Sequence, residues 1–502
     1  AQLADQVAHQ DDRQRRRQAD GVERRPQHQV VPQPIADRPD DHAPGKALVG
    51  WAQPYWFETD QPLQTNHWEE AMAAVEADRV ATELLKQAAV FPVIDFHLNY
   101  DDGFQLALPH LAPLKHAALS LCAAADCDLY NHDPAGAATN ICILLALIQA
   151  QQNERIEISQ LVRVAMSTIA MNATWELLQA PNLTDSELES LQTRWRQLNF
   201  FSGAEGAMVV QRAWQDKIIE VVRKSPAECE KLTGMSLTDG SSWSFSSSGD
   251  LMEDVQNFGR SGWGAGRDYV GLAMWRNSWS YEDEQEMLQK IQIEIDALRA
   301  AHTNQVYGPV FEAAGKQVAA LSLPSSASMR EWRRLFSEMF FGHSSLQRFA
   351  SAETAKHMIG TAISLKRFQI RYGRLPASLV ELAPEFLATA PLDPMDGKPL
   401  RYRANQDGTF LLYSVGADGK DDGGDATPAK PPSYSKTPAW NWLLGHDWVW
   451  PQPATADEIQ SYYDDHAAKA AKATADAAAQ AAAEASENSA LPPPPPVPAG
   501  TN

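Results

Sequence analysis

Apolar residues recur at three- and four-residue intervals along one stretch of the chain, and this spacing is typical of a helix with one buried face. The repeating positions are Ile156, Leu161, Val162, Ala165, Met166, Ile169 and Ala170. Thr184 is followed three residues later by Glu187, and this spacing of a capping box predicts that another helix begins there. Helical register continues through residues 205–223. The sequence therefore predicts a mainly α protein with a large helical domain over residues 50–345, in which several antiparallel helices pack together.

Three segments differ in composition from this helical pattern. Residues 1–49 are rich in Gln, Arg, Asp and Pro and poor in apolar residues, which predicts a disordered tail. Residues 234–265 are rich in Gly, Ser and Trp, and we expect them to form a surface loop within the helical domain. Residues 463–502 are Ala-rich and then Pro-rich, with polyproline at Pro492–Pro496, and this composition favours a second solvated tail.

The charge of the chain limits its partners. The 43 Lys and Arg residues stand against 64 Asp and Glu residues, which gives a net charge of −21. Nucleic-acid binding needs basic surface that displaces counterions from phosphates, so this charge predicts no nucleic-acid partner. Anionic membrane surfaces are disfavoured for the same reason.

The apolar runs of the chain are short. A membrane-spanning helix takes about 18 apolar residues or more, and no run in the sequence reaches that length. The most apolar run, Ile141–Ile148, is predicted to be a buried helix. The first fifty residues contain no apolar signal-peptide segment. We therefore expect membrane association only through an anchor that precedes Ala1.

The C-terminal part of the chain has the pattern of a small α+β module. Its helix has an apolar face formed by Met358, Ile359, Ala362, Ile363, Leu365 and Phe368. Gly373 is placed to end this helix, because glycine readily adopts the left-handed conformation of a helix C-terminus. Two strand candidates, Leu400–Arg403 and Thr409–Ser414, follow and are separated by a hairpin-type turn at residues 405–408. Together with an aromatic extension, the module is predicted to span residues 351–452.

Three motifs follow one another within this module. They are Tyr372–Pro376 (YGRLP) at the end of the helix, Leu392–Tyr402 (LDPMDGKPLRY), and Leu412–Lys420 (LYSVGADGK) followed by Asp421–Asp425 (DDGGD). In this order, the stretch Leu365–Asp425 resembles the C-terminal part of the major pseudopilin of type II secretion systems. The resemblance implies a helix packed against a short antiparallel β hairpin.

The longer chain resembles a group of uncharacterised bacterial envelope proteins that carry this module near their C-terminus. The matching segments outside the module are Phe96–Phe104, Leu108–Leu111, Ile158–Arg163 and Asp447–Pro451. The resemblance implies a location in the cell envelope or periplasm and supplies no reaction. True pseudopilins begin with a basic leader and a hydrophobic helix that drives filament assembly, whereas a large helical domain precedes the module here. We therefore expect the module to serve as an appendage or contact surface rather than to build filaments.

The Asp- and Gly-rich loop at residues 414–425 is the first candidate site. Calcium takes about six to eight oxygen ligands, and a loop of this composition lets carboxylates and carbonyls converge on one point. In pseudopilins this loop binds calcium. The resemblance implies that Asp418 is a carboxylate ligand, that Val415 is a carbonyl ligand, and that Asp422 and Asp425 are further carboxylate ligands. The alternative is an acidic turn that binds no ion, and the EF-hand pattern is absent.

A second candidate consists of Cys122, Cys127 and His132, which have the spacing C-x4-C-x4-H. Zinc sites use closer cysteine pairs and a complete tetrahedral ligand set. Cys142 lies in the apolar run described above and is expected to pack as a small apolar residue. The pattern favours structural cysteines, and four cysteines in a chain of this length do not make a disulfide framework.

Ionisable residues are also concentrated between His97 and His116. They are His97, Asp101, Asp102, His110 and His116. Such a cluster could hold a metal or perform acid–base chemistry, although no H-E-x-x-H motif is present and the same residues could cap or bridge helices. The sequence thus favours a non-enzymatic, envelope-associated protein with unidentified protein partners and a role in protein–protein contact or secretion-related assembly. A hydrolase that uses the His97–His116 region is the alternative.

Overall fold

The computed structural model describes the helical part of the chain and most of the C-terminal module. The described residues are 45–47, 49–52, 68–225, 272–321, 344–428, 443, 445–455 and a few positions between 457 and 472. The predicted loop at residues 234–265 lies outside the described residues, as do most of the predicted tails at residues 1–49 and 463–502.

Helices dominate the described residues, and the prediction of a mainly α protein is confirmed. In chain order they are α1 (Trp68–Ala77), α2 (Arg79–Ala88), α3 (Leu111–Tyr130), α4 (Pro134–Ala150), α5 (Glu157–Leu178), α6 (Asp185–Gln197), α7 (Phe200–Lys224), α8 (Ser280–Asn304), α9 (Gly308–Leu321) and α10 (Ser344–Tyr372). Short 3₁₀ helices at Gly50–Ala52, Tyr100–Gln105 and Leu379–Leu382 and a π-helical turn at Trp275–Trp279 accompany them.

The starts of two helices show how local sequence positions them. Asp133 caps α4 by accepting a hydrogen bond from the Gly136 amide at 2.9 Å, and Pro134 occupies the first turn, where its missing N–H costs nothing. Thr184 and Glu187 form the predicted capping box at the start of α6, with the Thr184 amide 2.9 Å from Glu187 Oε2.

Helix α4 lies at the centre of the helical part, in contact with α2, α3, α5 and α6. Every residue of Ile141–Ile148 except Cys142 is buried, as expected for a helix surrounded by other helices. The prediction of a buried helix at this apolar run is confirmed. No helix of the described residues combines the length and the apolar character needed to cross a bilayer.

Helix α10 belongs to both parts of the molecule. It packs against α5, α6 and α7 and also contacts the strand Phe410–Ser414 of the module. Glu353 Oε1 accepts a hydrogen bond from the Phe200 amide at 2.6 Å, and Arg367 Nε lies 2.6 Å from Asp185 Oδ1. The helix ends at Tyr372, and Gly373 follows with a φ of +69°, which confirms the predicted helix end.

A small antiparallel sheet follows α10, as predicted. It has the order β2 (Arg401–Ala404), β3 (Phe410–Ser414) and β4 (Trp448–Val449). The first two strands lie within one residue of the predicted ones, and Gly408 in the turn between them has a φ of +84°. The third strand comes from the aromatic extension, with Ser414 paired to Trp448.

A second, two-stranded sheet joins distant parts of the chain. Strand β1 (Lys46–Ala47), which lies within the segment predicted as a tail, runs parallel to β5 (Gln452–Pro453). Next to it, Trp175 Nε1 of α5 donates a hydrogen bond to the Pro451 carbonyl at 2.9 Å. These contacts fix the segment after β4 against the helical part.

Candidate metal centre

The acidic loop between β3 and β4 begins at a position that only glycine fits. Gly416 has a φ of +66°, and a Cβ atom there would come within 2.8 Å of the His446 carbonyl oxygen. The loop therefore starts in close contact with the segment that leads into β4.

Asp447 anchors the far end of this loop. Its side chain is completely buried, and its Oδ2 accepts hydrogen bonds from the amides of Gly424 at 2.7 Å and Asp425 at 3.1 Å. The Asp447 amide in turn donates to the Asp425 carbonyl at 2.8 Å. Burial raises the pKa of Asp447, and the hydrogen bonds from the loop amides oppose this shift. One buried carboxylate thus holds the loop against β4.

A second buried carboxylate, Asp393, ties the turn before β2 to the end of β3. It accepts hydrogen bonds from Ser414 Oγ at 2.8 Å and from the Val415 amide at 2.9 Å, and Arg401 Nη1 lies 2.7 Å away. Burial raises the pKa of Asp393, while the hydrogen bonds from Val415, Met395 and Ser414 oppose that shift. Asp393, the first Asp of the LDPMDG motif, therefore has a structural role, because it links this motif to the LYSVG motif.

Arg401 also neutralises an aspartate of the acidic loop. Its Nε lies 3.2 Å from Asp421 Oδ2, and the Tyr413 hydroxyl donates to Asp421 Oδ1 at 2.9 Å. Burial alone would raise the pKa of Asp421, but the hydrogen bonds from Tyr413, Gly423 and Arg401 hold it below its ordinary value. Asp421 is thus engaged within the module.

Two of the predicted ligands come together with a residue that was not predicted. Asp418, Asp422 and His446 each offer one ligand atom, and these atoms all lie within 4.8 Å of one another. All three side chains are partly exposed, and Lys420 Nζ lies 3.5 Å from Asp418 Oδ2. Two carboxylates and an imidazole at this spacing can share one divalent cation.

The other two predicted ligands lie outside this group of three side chains. Asp425 Oδ1 accepts hydrogen bonds from the Thr427 amide at 2.9 Å and the Thr427 hydroxyl at 2.7 Å. Val415 is buried at the start of the loop, where its amide is bonded to Asp393. Their roles as ligands stay predictions.

The sequence did not predict His446 as a ligand. It directly precedes the Asp447–Pro451 motif, but nothing in its neighbourhood marks it as a ligand. It reaches the loop only because β4 pairs with β3 and the His446 amide donates to the Thr427 carbonyl at 3.0 Å.

Two of the candidate cysteines pack in separate apolar clusters. Cys122 packs in the main apolar core, whereas Cys127 packs separately with Trp68 and Ala71. Burial raises the pKa of Cys127 to about 12 and that of Cys142 to about 11, so both remain thiols at neutral pH. In the part of the chain that the structure describes, the side chains of Asp418, Asp422 and His446 are the only group of three or more with metal-ligand spacing.

One histidine of the His97–His116 region makes a buried contact with a carboxylate. His110 Nε2 lies 2.9 Å from Glu154 Oε1, and both side chains are nearly inaccessible to solvent. The imidazole stacks on Phe96 with ring centroids 4.0 Å apart, and Ser159 Oγ donates to Glu154. The pair joins the segment before α3 to the turn before α5.

The other members of this region lie apart from that pair. His97 is exposed, with its Nδ1 3.3 Å from Asp95 Oδ2. Asp101 and Asp102 are exposed in the first turn of a 3₁₀ helix, and His116 is exposed on α3. Among the described residues, none of these side chains joins His110 in a group of three with metal-ligand spacing.

Comparison of the chain with family models, curated proteins and solved structures found no match. Inference about the function of this chain therefore rests on the geometry of its own residues.

Proposed function

We propose that this chain is a non-enzymatic, envelope-associated protein that makes protein–protein contacts in secretion-related assembly, and that calcium stabilises its pseudopilin-like C-terminal module. The observation that supports this most directly is the convergence of Asp418 and Asp422 on one point of a loop that Asp447 holds from beneath. The order of a helix, an antiparallel hairpin and an acidic loop adds support through the resemblance of Leu365–Asp425 to pseudopilins.

Calcium suits two of the three converging side chains. Asp418 and Asp422 supply hard carboxylate oxygens, which calcium prefers, and backbone carbonyls of the loop would complete its shell. His446 supplies a nitrogen, which suits calcium less well. A bound cation would offset the repulsion between the two aspartates and restrain the loop against β4. Its contribution to stability would then grow with occupancy, because the ion binds the folded state.

The test is thermal unfolding of the full chain in the presence of calcium and in the presence of a chelator. Calcium at a hundred times its dissociation constant is expected to raise the free energy of unfolding by about 2.7 kcal/mol. The Asp418→Asn/Asp422→Asn double variant should lose this increase. Asp216→Asn, which changes an exposed aspartate on α7, is the matched control and should keep it.

Identical melting curves with calcium and chelator would remove calcium from the proposal. A calcium-induced shift that persists in the double variant would place the ion elsewhere in the chain. The envelope location has a separate test: cell fractionation of a bacterial host producing the full-length protein should recover it with the periplasmic or membrane fraction.

The alternative is a hydrolase that uses the His97–His116 region, and one observation favours it. The buried carboxylate of Glu154 orients the His110 imidazole, as acid–base sites require. His97 and Asp101 lie apart from this pair, and that separation supports the contact role instead. A hydrolytic activity of the full chain that His110→Gln abolishes without loss of fold would favour the alternative.

A further inference from the structure

Helix α2 and the residues after it present apolar side chains to solvent. Val80 is 69% exposed, Leu84 is 60% exposed and Phe91 is 63% exposed, and Val90 and Val93 are also exposed. None of the residues of α2 is buried, although Leu85 packs against the core from the opposite side of the helix. Groups of exposed apolar side chains mark interaction surfaces in soluble proteins. The name α2 patch is used below for these five exposed residues.

Charged side chains flank the α2 patch in an alternating order. Glu76, Arg79, Glu83 and Lys86 follow one another at three- and four-residue spacing, and all four are well exposed. Their charges read negative, positive, negative, positive along the chain. The helical hydrogen bonds continue from α1 into α2, with the Asp78 amide 3.2 Å from the Ala74 carbonyl. The four charges therefore lie along one nearly continuous helix.

When two copies of this segment run in opposite directions, each acidic residue of one copy can face a basic residue of the other. If a second α2 lies antiparallel to the first with the two-fold axis near Ala81, Glu76 comes opposite Lys86 and Arg79 comes opposite Glu83. In antiparallel helix pairs the same flank of each helix meets, so these residues face their partners across the axis. The same register brings Val80 and Leu84 of the two copies together between the charged pairs.

We propose that the α2 patch is a homodimer interface, in which a second copy of this chain packs its own α2 antiparallel across the two-fold axis near Ala81. The interface buries Val80 and Leu84 of both copies and pairs each acidic residue of the flank with a basic one. The patch is small, so the dimer forms reversibly and with modest affinity. The proposal deepens the proposed contact role by naming one partner, and it rests on that role but not on calcium.

The first test measures the mass of the full chain by sedimentation equilibrium over a wide range of concentration. A reversible monomer–dimer equilibrium is expected, and Leu84→Glu should shift it to monomer, because the substitution places a charge in the apolar contact. Val209→Glu, at an exposed apolar position on α7, is the matched control and should dimerise as the unchanged chain does. A chain that remains monomeric at every concentration would overturn the proposal.

The second test uses the charge pattern. Arg79→Glu alone and Glu83→Arg alone each replace two attractive pairs by two repulsive ones, and each should weaken dimerisation about tenfold. An equimolar mixture of the two variants should dimerise again, since each copy then faces opposite charges. The Arg79→Glu/Glu83→Arg double variant should also recover. Glu312→Arg, in the exposed Glu312–Lys316 pair of α9, is the control and should have no effect.

A mixture that stays monomeric, or single reversals that leave the equilibrium unchanged, would overturn the antiparallel interface even if the chain dimerises. A monomeric chain that calcium still stabilises would remove this inference and leave the calcium-bound module in place. A chain that dimerises but is not stabilised by calcium would remove calcium from the proposed function and leave the dimer interface in place.

Discussion

The helical part of the chain and its C-terminal module share one apolar core, but buried carboxylates have a special place in the module. In the helical part, large apolar side chains such as Trp195 and Phe200 are almost completely buried in one continuous core. In the module, two carboxylates, Asp393 and Asp447, are completely buried, and each accepts several hydrogen bonds from strands and loops. Apolar area removed from water therefore stabilises both parts, and directional hydrogen bonds to two buried carboxylates also hold the strands and loops of the module.

This difference means that the two parts respond to different changes. Apolar contacts are non-directional, so the free energy of unfolding lost on substitution depends on the side-chain volume that is removed. A buried carboxylate that loses its charge or its partners leaves unsatisfied groups in a place that water does not reach. Helix α10 contacts both parts, so we expect a change in either part to affect the other.

The largest effect is expected from Trp195→Ala in the helical part. Trp195 is buried between α6 and its neighbours, and its Nε1 donates to Thr174 Oγ1 at 3.0 Å. The variant should lose about 4 kcal/mol of unfolding free energy, because it leaves a large cavity. Urea unfolding followed by circular dichroism measures the loss. Val209→Ala, at an exposed position, should change stability by less than about 0.5 kcal/mol, and equal effects for the two variants would contradict this account.

Asp393→Ala should have a similar but smaller effect on the module. It leaves the Val415 amide, Ser414 hydroxyl and Arg401 guanidinium without their buried acceptor, which is expected to cost about 3 kcal/mol. Because α10 contacts both parts, unfolding should remain a single transition when followed by tryptophan fluorescence and by far-UV circular dichroism. Two separated transitions would show instead that the module unfolds independently of the helical part.

Asp447→Ala should destabilise the acidic loop more than the whole molecule. The amides of Gly424 and Asp425 lose their acceptor, and the cost is expected to be about 2 kcal/mol. Hydrogen exchange measured by mass spectrometry should show faster exchange in the peptide that contains these two residues. Asp425→Ala removes only the exposed bonds to Thr427 and should leave the exchange of that peptide nearly unchanged.

The smallest effects concern the pH dependence that two groups of the helical part produce. Burial and the neighbouring Asp133 raise the pKa of Asp128 to about 6. The folded protein thus holds this proton more tightly than the unfolded chain, and stability falls as the pH rises from about 4 to about 6. Asp128→Asn should remove this slope and raise stability at pH 7 by about 1 kcal/mol, after allowance for solvent screening. A variant less stable than the unchanged chain at pH 7 would contradict the shift.

His357 should produce the opposite slope over nearly the same range. Burial and the adjacent Lys356 lower the pKa of His357 to about 4. The folded protein resists protonation there, so stability falls as the pH decreases from about 6.5 to about 4. His357→Gln should abolish this loss, and urea midpoints measured between pH 4 and pH 7 would detect it. The unchanged chain should show a flatter profile than either variant, because the two slopes oppose each other.

Local features of the fold could be predicted from the sequence. The capping box at Thr184 and Glu187, the helix end at Gly373 and the buried helix at Ile141–Ile148 depend on residues within one or two helical turns. The turn around Gly408 likewise predicted the hairpin to within one residue.

The candidate site could be predicted only in part. Asp418 and Asp422 lie in one short loop, which its composition marked, and the resemblance to pseudopilins pointed to these two residues. His446 follows more than twenty residues later and reaches them only through the pairing of β4 with β3, which single-sequence patterns do not reveal. For the same reason, the contact of Arg401 with Asp421 and the pairing of His110 with Glu154 were not foreseen.

The pairing of β1 with β5 has a mechanical consequence. The Gln452 amide donates to the Gly45 carbonyl at 3.0 Å, and the Ala454 amide donates to the Ala47 carbonyl at 2.8 Å. Since the two strands are parallel, tension applied backward along β1 and forward along β5 pulls them past each other in shear. In that geometry both bonds carry the load together and must rupture at the same moment, which resists extension better than bonds that unzip one after the other.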